Sequence, residues 1–341
     1  MGVSKFRTLT LCTALATPLV LVACSSGQGG SPSSTSAREM ASSCPVTPVE
    51  VVVSVDQWGD IVSELGGDCA RVTTVLASSS VDPHDYEPAP SDAATFEGAQ
   101  LIVVNGGHYD EWATKLAATS APNAPVVDAL AAAGTPEDEH GADDHSPDEH
   151  GADEHDHDGH DHDGGTNPHA WYSPTAVTAV ADAVTARLSA LAPDVADYFD
   201  QRHTAFESSL QPYFSTIDAI KSGSAGKSYA ATESVFDDMA AAVGLTNRTP
   251  VGFQASSANE TDPSPADLDA FLRLLGDKEV DVLIYNTQTE GSVPQQLRAA
   301  AESAGIPVVE VTETVAPGTD SFEAWQVQQL DSLAEALGVR I

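Results

Sequence analysis

Basic side chains are scarce. In 341 residues, 14 Lys and Arg stand against 51 Asp and Glu, a formal net charge of −37. Phosphate backbones are bound by Lys and Arg that displace counterions, so this deficit argues against nucleic acid as a partner. The same acidity favours solubility and draws cations, but it says nothing about fold. Beyond the first two dozen residues no stretch approaches the ~20 apolar residues that a membrane-spanning helix needs. There is no HExxH and no nucleophile elbow with a Ser–His–Asp arrangement, the marks of common hydrolases. Cysteine is sparse as well, with four in the chain.

The N-terminus carries an export signature. Lys5 and Arg7 precede an apolar stretch, Leu9 to Val22, that Thr13, Thr17 and Pro18 interrupt. It ends in Leu21-Val22-Ala23-Cys24, a lipobox whose cysteine thiol can take a diacylglycerol. An ordinary signal peptide with an incidental cysteine is the alternative. The Ser- and Gly-rich segment that follows, to Ser43, has the composition of a flexible tether. The expectation is a signal peptide over 1–23 and a lipidated tether over 24–43. The body then lies on the extracytoplasmic face of the cell membrane, held by lipid. Cys12 leaves with the signal and Cys24 is lipidated. The remaining Cys44 and Cys69, in an oxidising compartment, read as one disulfide, with two unpaired thiols the alternative. Each lies just before an expected strand, and the two would be neighbours if those strands pair in parallel.

The rest of the chain alternates. Val49–Val55 is a continuous apolar run, as in a strand buried on both faces. Helix over Gln57–Leu65, strand over Val72–Ala77, helix over Ser91–Gln100, strand over Leu101–Val104, helix over Trp112–Ala118 and a strand from Val126 follow. Such alternation predicts a parallel sheet covered by helices. Pro174–Leu191 is helical, and a second, very long helix from about Pro193 to Lys221 is expected to run between lobes. Ser228–Ala231, Val280–Tyr285 and Val308–Val311 then read as strands. Ser234–Val243, Pro265–Leu275, Pro294–Ala304 and Ser321–Leu337 read as helices. The expected fold class is α/β. Two lobes with separate cores, 44–192 and 223–341, each have a parallel sheet flanked by helices, and one long rigid helix over 193–222 joins them.

Residues 137–165 interrupt this pattern. The wider stretch Gly134–Thr166 holds only His, Asp, Glu, Gly, Ala, Ser, Pro and Thr, and EHGAD occurs twice in it. No core can be made from such residues, so a mobile loop is expected. Its histidines are His140, His145, His150, His155, His157, His160 and His162.

Metal ligands belong where strands end and loops face a cleft between lobes. His84 stands in Asp82-Pro83-His84-Asp85-Tyr86-Glu87-Pro88, and His169 in Asn167-Pro168-His169-Ala170-Trp171. In both, the proline stiffens the approach to the imidazole. Two Pro-His loops beside a His-rich tract point to metal ligation rather than to surface histidines.

These segments, together with SDAATFEGAQLIVVNG, ATESVFDDMAAAVGL, DPSPADL and AGIPVVEVTET, resemble the zinc- and manganese-binding substrate-binding lipoproteins of bacterial ABC importers, the TroA-like family. The segments run in the family's order across nearly the whole mature chain. The resemblance implies one metal between the lobes, with two ligands from each. His84 and His169 map to the first two. The third, His in many zinc members and Glu in many manganese members, maps to Glu233. The fourth is usually Asp, and Glu313 stands in its place, with Glu290 in reserve. His108, directly after the third expected strand, reads as a residue of the rim or one that supports the ligands, although it could reach the cleft itself. Two imidazoles with two carboxylates suit zinc, manganese or iron(II). The histidine tract favours zinc, serving as auxiliary weak sites, while Glu233 leans toward manganese. The implied function is capture of Zn2+, with Mn2+ possible, and delivery to an ABC permease and its ATPase by a monomeric binding protein without enzymatic activity. Within the family the alternative is a manganese- or iron-specific protein; from other classes, a metal-dependent adhesin or a zinc hydrolase.

Overall fold

A computed structural model describes residues 44–77, 86–134, 167–259, 261–289, 291–316, 318–319 and 321–341. The export segment with Cys24, the first Pro-His loop with His84, all seven histidines of the acidic tract, and Glu290 lie outside the described residues.

The first lobe opens with β1 (Val49–Val55), α1 (Asp56–Gly66) and β2 (Ala70–Leu76). Next come α2 (Pro90–Phe96), β3 (Leu101–Val104), α3 (Glu111–Ser120), β4 (Val126–Asp128) and the one-turn α4 (Ala129–Ala132). Its strands are all parallel, in the order β2-β1-β3-β4. After α5 (Pro174–Leu191) the chain crosses through α6 (Ala196–Ser209) and α7 (Gln211–Gly223). The second lobe is built from β5 (Ser228–Ala231), α8 (Asp237–Ala242), β6 (Thr246–Asn247), α9 (Val251–Ala258) and α10 (Pro265–Gly276), then β7 (Val282–Asn286), α11 (Ser292–Ala304), β8 (Val308–Val311) and α12 (Phe322–Leu337). Its sheet, β6-β5-β7-β8, repeats the order of the first.

The unbroken apolar runs are explained by two-sided burial. Val49, Val51, Val53 and Val55 of β1 enter one core and Val52 another. In β3, Leu101 and Val103 face the first of these cores and Ile102 and Val104 the second. In the second lobe Tyr229, Ala231, Val282 and Ile284 face one side, and Ala230 and Leu283 the other. Side chains alternate across a strand, so a sheet covered on both faces needs no polar phase.

Two expectations change. The lobes do not have fully separate cores: the inner faces of both sheets, with α1, α5, α7 and α12, share one core that includes Trp58, Trp171 and Trp325. Each of these is essentially fully buried, and cutting such a side chain to alanine costs about 3–5 kcal/mol. Among the described residues, lobe-specific cores lie on the outer faces, around Phe96 in the first lobe and Phe271 in the second. The connecting helix is also interrupted, at Leu210, where α6 ends and α7 begins. Pro212 is the cause. It has no N–H for the carbonyl four residues back, and its ring crowds that carbonyl. The first half packs on α1 and the second on α12, so the connection spans both lobes.

Smaller differences have local reasons. The helix expected over Ser91–Gln100 stops at Phe96, because Gly98 takes φ +84° and turns the chain into β3. β6 and α9 have no counterpart in the sequence reading; the first is two residues long. Cys44 and Cys69 are bridged with Cα atoms 5.0 Å apart, beside the register pair Val49–Ala70 where β1 and β2 start. Closing that loop stabilises the first lobe by roughly 3 kcal/mol.

Candidate metal centre

Strand order reverses between β1 and β3 in the first sheet, and between β5 and β7 in the second. Crevices form outside the carboxyl ends of strands at such points. The loops after β1, β3, β5, β7 and β8 meet there.

His169 arrives on a loop fixed from several sides. Trp58 Nε1 donates to Asn105 Oδ1 at 3.0 Å, and Asn105 Nδ2 donates to the Pro168 carbonyl at 2.7 Å. The loop after β3 that carries Asn105 is itself held by Asp110, whose carboxylate accepts the Asn105 and Gly106 N–H groups at 2.6 and 2.9 Å. Burial pushes the Asp110 carboxyl up to about 6 against those two bonds. Gly106 has φ +91°, and a Cβ there would meet Asp128 Oδ1 at 2.2 Å, so the turn requires glycine.

The His169 ring is oriented by its neighbour two residues back. Asn167 Oδ1 lies 2.8 Å from Nδ1. A carbonyl oxygen can only accept, so the proton sits on Nδ1 and Nε2 carries the lone pair that a metal would take. Trp171 flanks the ring edge-on, 5.4 Å between centroids and 89° between planes. Nε2 lies 3.9 Å from Glu313 Oε2, and both residues are buried.

The second lobe supplies the carboxylates. Glu233 follows β5 and Glu313 follows β8, and Asn286, the last residue of β7, lies between them. Its Nδ2 donates to Glu233 Oε2 at 2.6 Å and to Glu313 Oε1 at 2.7 Å. Thr289 Oγ1 also donates to Glu233 Oε1. Gln288 Oε1 accepts the Glu313 and Thr314 N–H groups at 2.7 and 3.0 Å, which fixes the loop. Across the lobe boundary, Gln57 Nε2 donates to the Glu313 carbonyl at 2.7 Å, and Asn167 Nδ2 to the Ser234 carbonyl at 3.2 Å. The Tyr172 hydroxyl lies 2.6 Å from the Thr312 carbonyl. Burial, aided by the Glu313 charge, holds the Tyr109 and Tyr172 phenols well above their ordinary range, so they remain neutral.

Of the sequence-derived residues, then, His169, Glu233 and Glu313 come together. His108 is exposed on the turn after β3, outside this buried group. Sequence reasoning missed Asn286, Gln57, Gln288 and Thr289. The signal for three of them was the polar run Asn286-Thr287-Gln288-Thr289 directly after an apolar strand, where cleft residues belong. His169 Nε2 and Glu313 Oε2 stand 3.9 Å apart, and Glu233 is joined to Glu313 through Asn286. An imidazole nitrogen with carboxylates is a mixed nitrogen and oxygen donor set of the kind that borderline divalent ions take.

The family model for the periplasmic zinc-uptake complex component A, ZnuA, matches residues 51–336. The chain belongs to this family. Among curated relatives of this ZnuA-family chain, the high-affinity zinc uptake system protein ZnuA of Bacillus subtilis is 27% identical over 228 residues, covering 65% of this chain and 66% of that protein. The manganese-binding lipoprotein MntA of Halalkalibacterium halodurans is 30% identical over 87 residues, covering 24% of this chain and 29% of that one. The chain thus matches less than two thirds of the length of either relative. The structure of the SBP FpvC from Pseudomonas aeruginosa in complex with Mn2+ superposes with a TM-score of 0.65 at 17% identity, covering 86% of this chain and 99% of that chain. At that identity the likeness establishes the fold. The ZnuA family is one of solute-binding proteins acting outside the cytoplasm.

Proposed function

We propose that this protein captures one divalent transition metal between its lobes, zinc in preference to manganese, and delivers it to an ABC permease driven by its ATPase. The observation that carries this reading is the approach of His169 Nε2 to Glu313 beside Glu233 at the lobe boundary. Family membership supports it. His84, from the first Pro-His loop, completes the ligand set. Glu313, one methylene longer than the Asp usual in the family, reaches the ion from a loop that Gln57 and Gln288 hold back. The core shared between lobes and the hydrogen bonds across their boundary limit opening to a small movement, so capture and release need no large hinge. No covalent step is required, and zinc-loaded protein is expected to hydrolyse no ester, peptide or phosphate.

Zinc is preferred because imidazole suits it better than it suits manganese, and because the tract over 137–165 offers seven more imidazoles nearby in sequence. The competing manganese reading rests on Glu233, a carboxylate where a third imidazole would favour zinc. Protein purified without added metal, analysed for its metal content and titrated with the two ions in competition, is expected to retain one tightly held zinc that manganese does not displace. Retention of manganese against zinc would overturn the preference.

The anchor is part of the same proposal: Cys24 carries the lipid and the protein acts as a monomer tethered to the membrane. Cys24→Ala is expected to release the protein from the membrane fraction, because the acyl chains supply its membrane affinity. A variant still recovered only with detergent-extracted membrane would refute the lipid anchor.

A further inference from the structure

Further along α1 from Gln57, a second group of acidic side chains spans the lobes. Asp60 and Glu64, one turn apart on α1, face Glu323 in the first turn of α12. One carboxylate oxygen from each lies within 4.8 Å of the others. Glu323 is 7% exposed, and its Oε2 is buried with no hydrogen-bond partner among the described residues.

We propose that Asp60, Glu64 and Glu323 bind a second, hard divalent cation of the calcium class, which ties the first lobe to the N-terminal turn of α12.

Charge and size both support this. Local compensation is incomplete. The N-terminal end of α12 donates the Phe322 N–H to Asp60, and a helix end is worth roughly half a positive charge. Arg202 on α6 faces Glu64 and donates through Nε to the Glu64 carbonyl at 2.6 Å. One guanidinium and one helix end meet three carboxylates, with Asp56 close to Asp60 as a fourth. The surplus negative charge must be met by a proton or by a cation, since burying it uncompensated costs several kcal/mol per ion. Burial, then the charges of Glu323 and Asp60, push the Glu64 carboxyl up to about 7, and Asp60 is raised in the same way by burial. Calcium holds oxygens at about 2.3–2.6 Å, so opposed ligands stand about 4.6–5.2 Å apart and adjacent ones closer, which three oxygens all within 4.8 Å of one another accommodate. Magnesium usually keeps several waters and takes one or two carboxylates, so three carboxylates suit calcium better. A cleft of about 270 Å³, lined by Asp56, Asp60, Thr74, Val315 and Ser321 among others, reaches the group at Asp60. Extracellular calcium sites typically work at roughly 10⁻⁴–10⁻³ M, a range suited to a protein outside the cytoplasm.

The test uses the full chain carrying one equivalent of zinc, with terbium as the probe. Trp58 and Trp325 each lie two residues from the acidic group, so excitation of tryptophan is expected to sensitise bound terbium. The tract over 137–165 contains no tryptophan. Calcium is expected to quench the signal by displacement and to raise the melting temperature of the zinc-loaded protein. Glu323→Gln and, as a second isosteric variant, Glu64→Gln are expected to weaken terbium binding about tenfold or more and to abolish the calcium-dependent rise, with zinc content unchanged. Sensitised emission that both variants retain would overturn the proposal by placing the ion elsewhere. So would a wild-type protein indifferent to calcium whose melting temperature rises in Glu323→Gln, because that result assigns the surplus charge to a shared proton.

Discussion

Replacing His169 with alanine is expected to abolish tight zinc binding while sparing weak binding along the acidic tract. The imidazole is buried, its Nδ1 is committed to Asn167, and Nε2 is directed at Glu313, so no neighbouring group can substitute. The loss should exceed the 10- to 100-fold that removal of a supporting partner typically costs, on the order of 10²-fold or more. His84→Ala is expected to behave in the same way. Deleting 137–165 should do the opposite, lowering the number of zinc ions bound per chain and leaving one tight site. An irregular tract must lose chain entropy each time it wraps an ion, which keeps its sites weak. Calorimetry on the three variants separates the two kinds of site. Loss of the tight site on deletion of the tract would move the binding centre from the cleft to the tract.

Asn286→Ala should weaken zinc binding by about 10- to 100-fold without changing its stoichiometry. The amide nitrogen donates to both Glu233 and Glu313. Without it, two adjacent carboxylates repel, one of them takes up a proton or swings away, and the ion must reverse that change as it binds. The alternative role for the amide is a placeholder that the metal must expel. In that case the alanine variant would bind zinc as tightly as the parent or more tightly, and the positioning role would be refuted. Asn286→Asp distinguishes the two further, since a third carboxylate adds charge without restoring the donor.

The two-lobed α/β architecture was legible because its signals are local. Val49–Val55, Leu101–Val104, Ser228–Ala231 and Val308–Val311 occupy the bounds their apolar runs predict, because a run this short without polar phase, flanked by helical patterns, reads as a strand covered on both faces. The Pro-His loop at His169 was equally visible, as was the pair Cys44 and Cys69, because loop chemistry and cysteine pairing follow from residue type and compartment. Element ends were less legible where a single residue overrides a pattern, as Pro212 does in the connecting helix and Gly98 does after α2.

What no local pattern carries is which distant residues meet. The sequence gives Glu233 and Glu313 as carboxylates after strands 80 residues apart; the bridge between them through Asn286 exists only because β5, β7 and β8 lie side by side. Gln57 reaches the Glu313 carbonyl across 256 residues of chain, and Asp60 caps a helix that begins 262 residues later. The shared core is of the same kind: each sheet's inner face looks like the wall of a separate lobe until the other sheet is packed against it. Periodicity reports the burial of a face, which is a property of its own element. The partner that buries it, and the charges left facing one another once it is buried, are set by packing between elements, and that information is distributed over the whole chain.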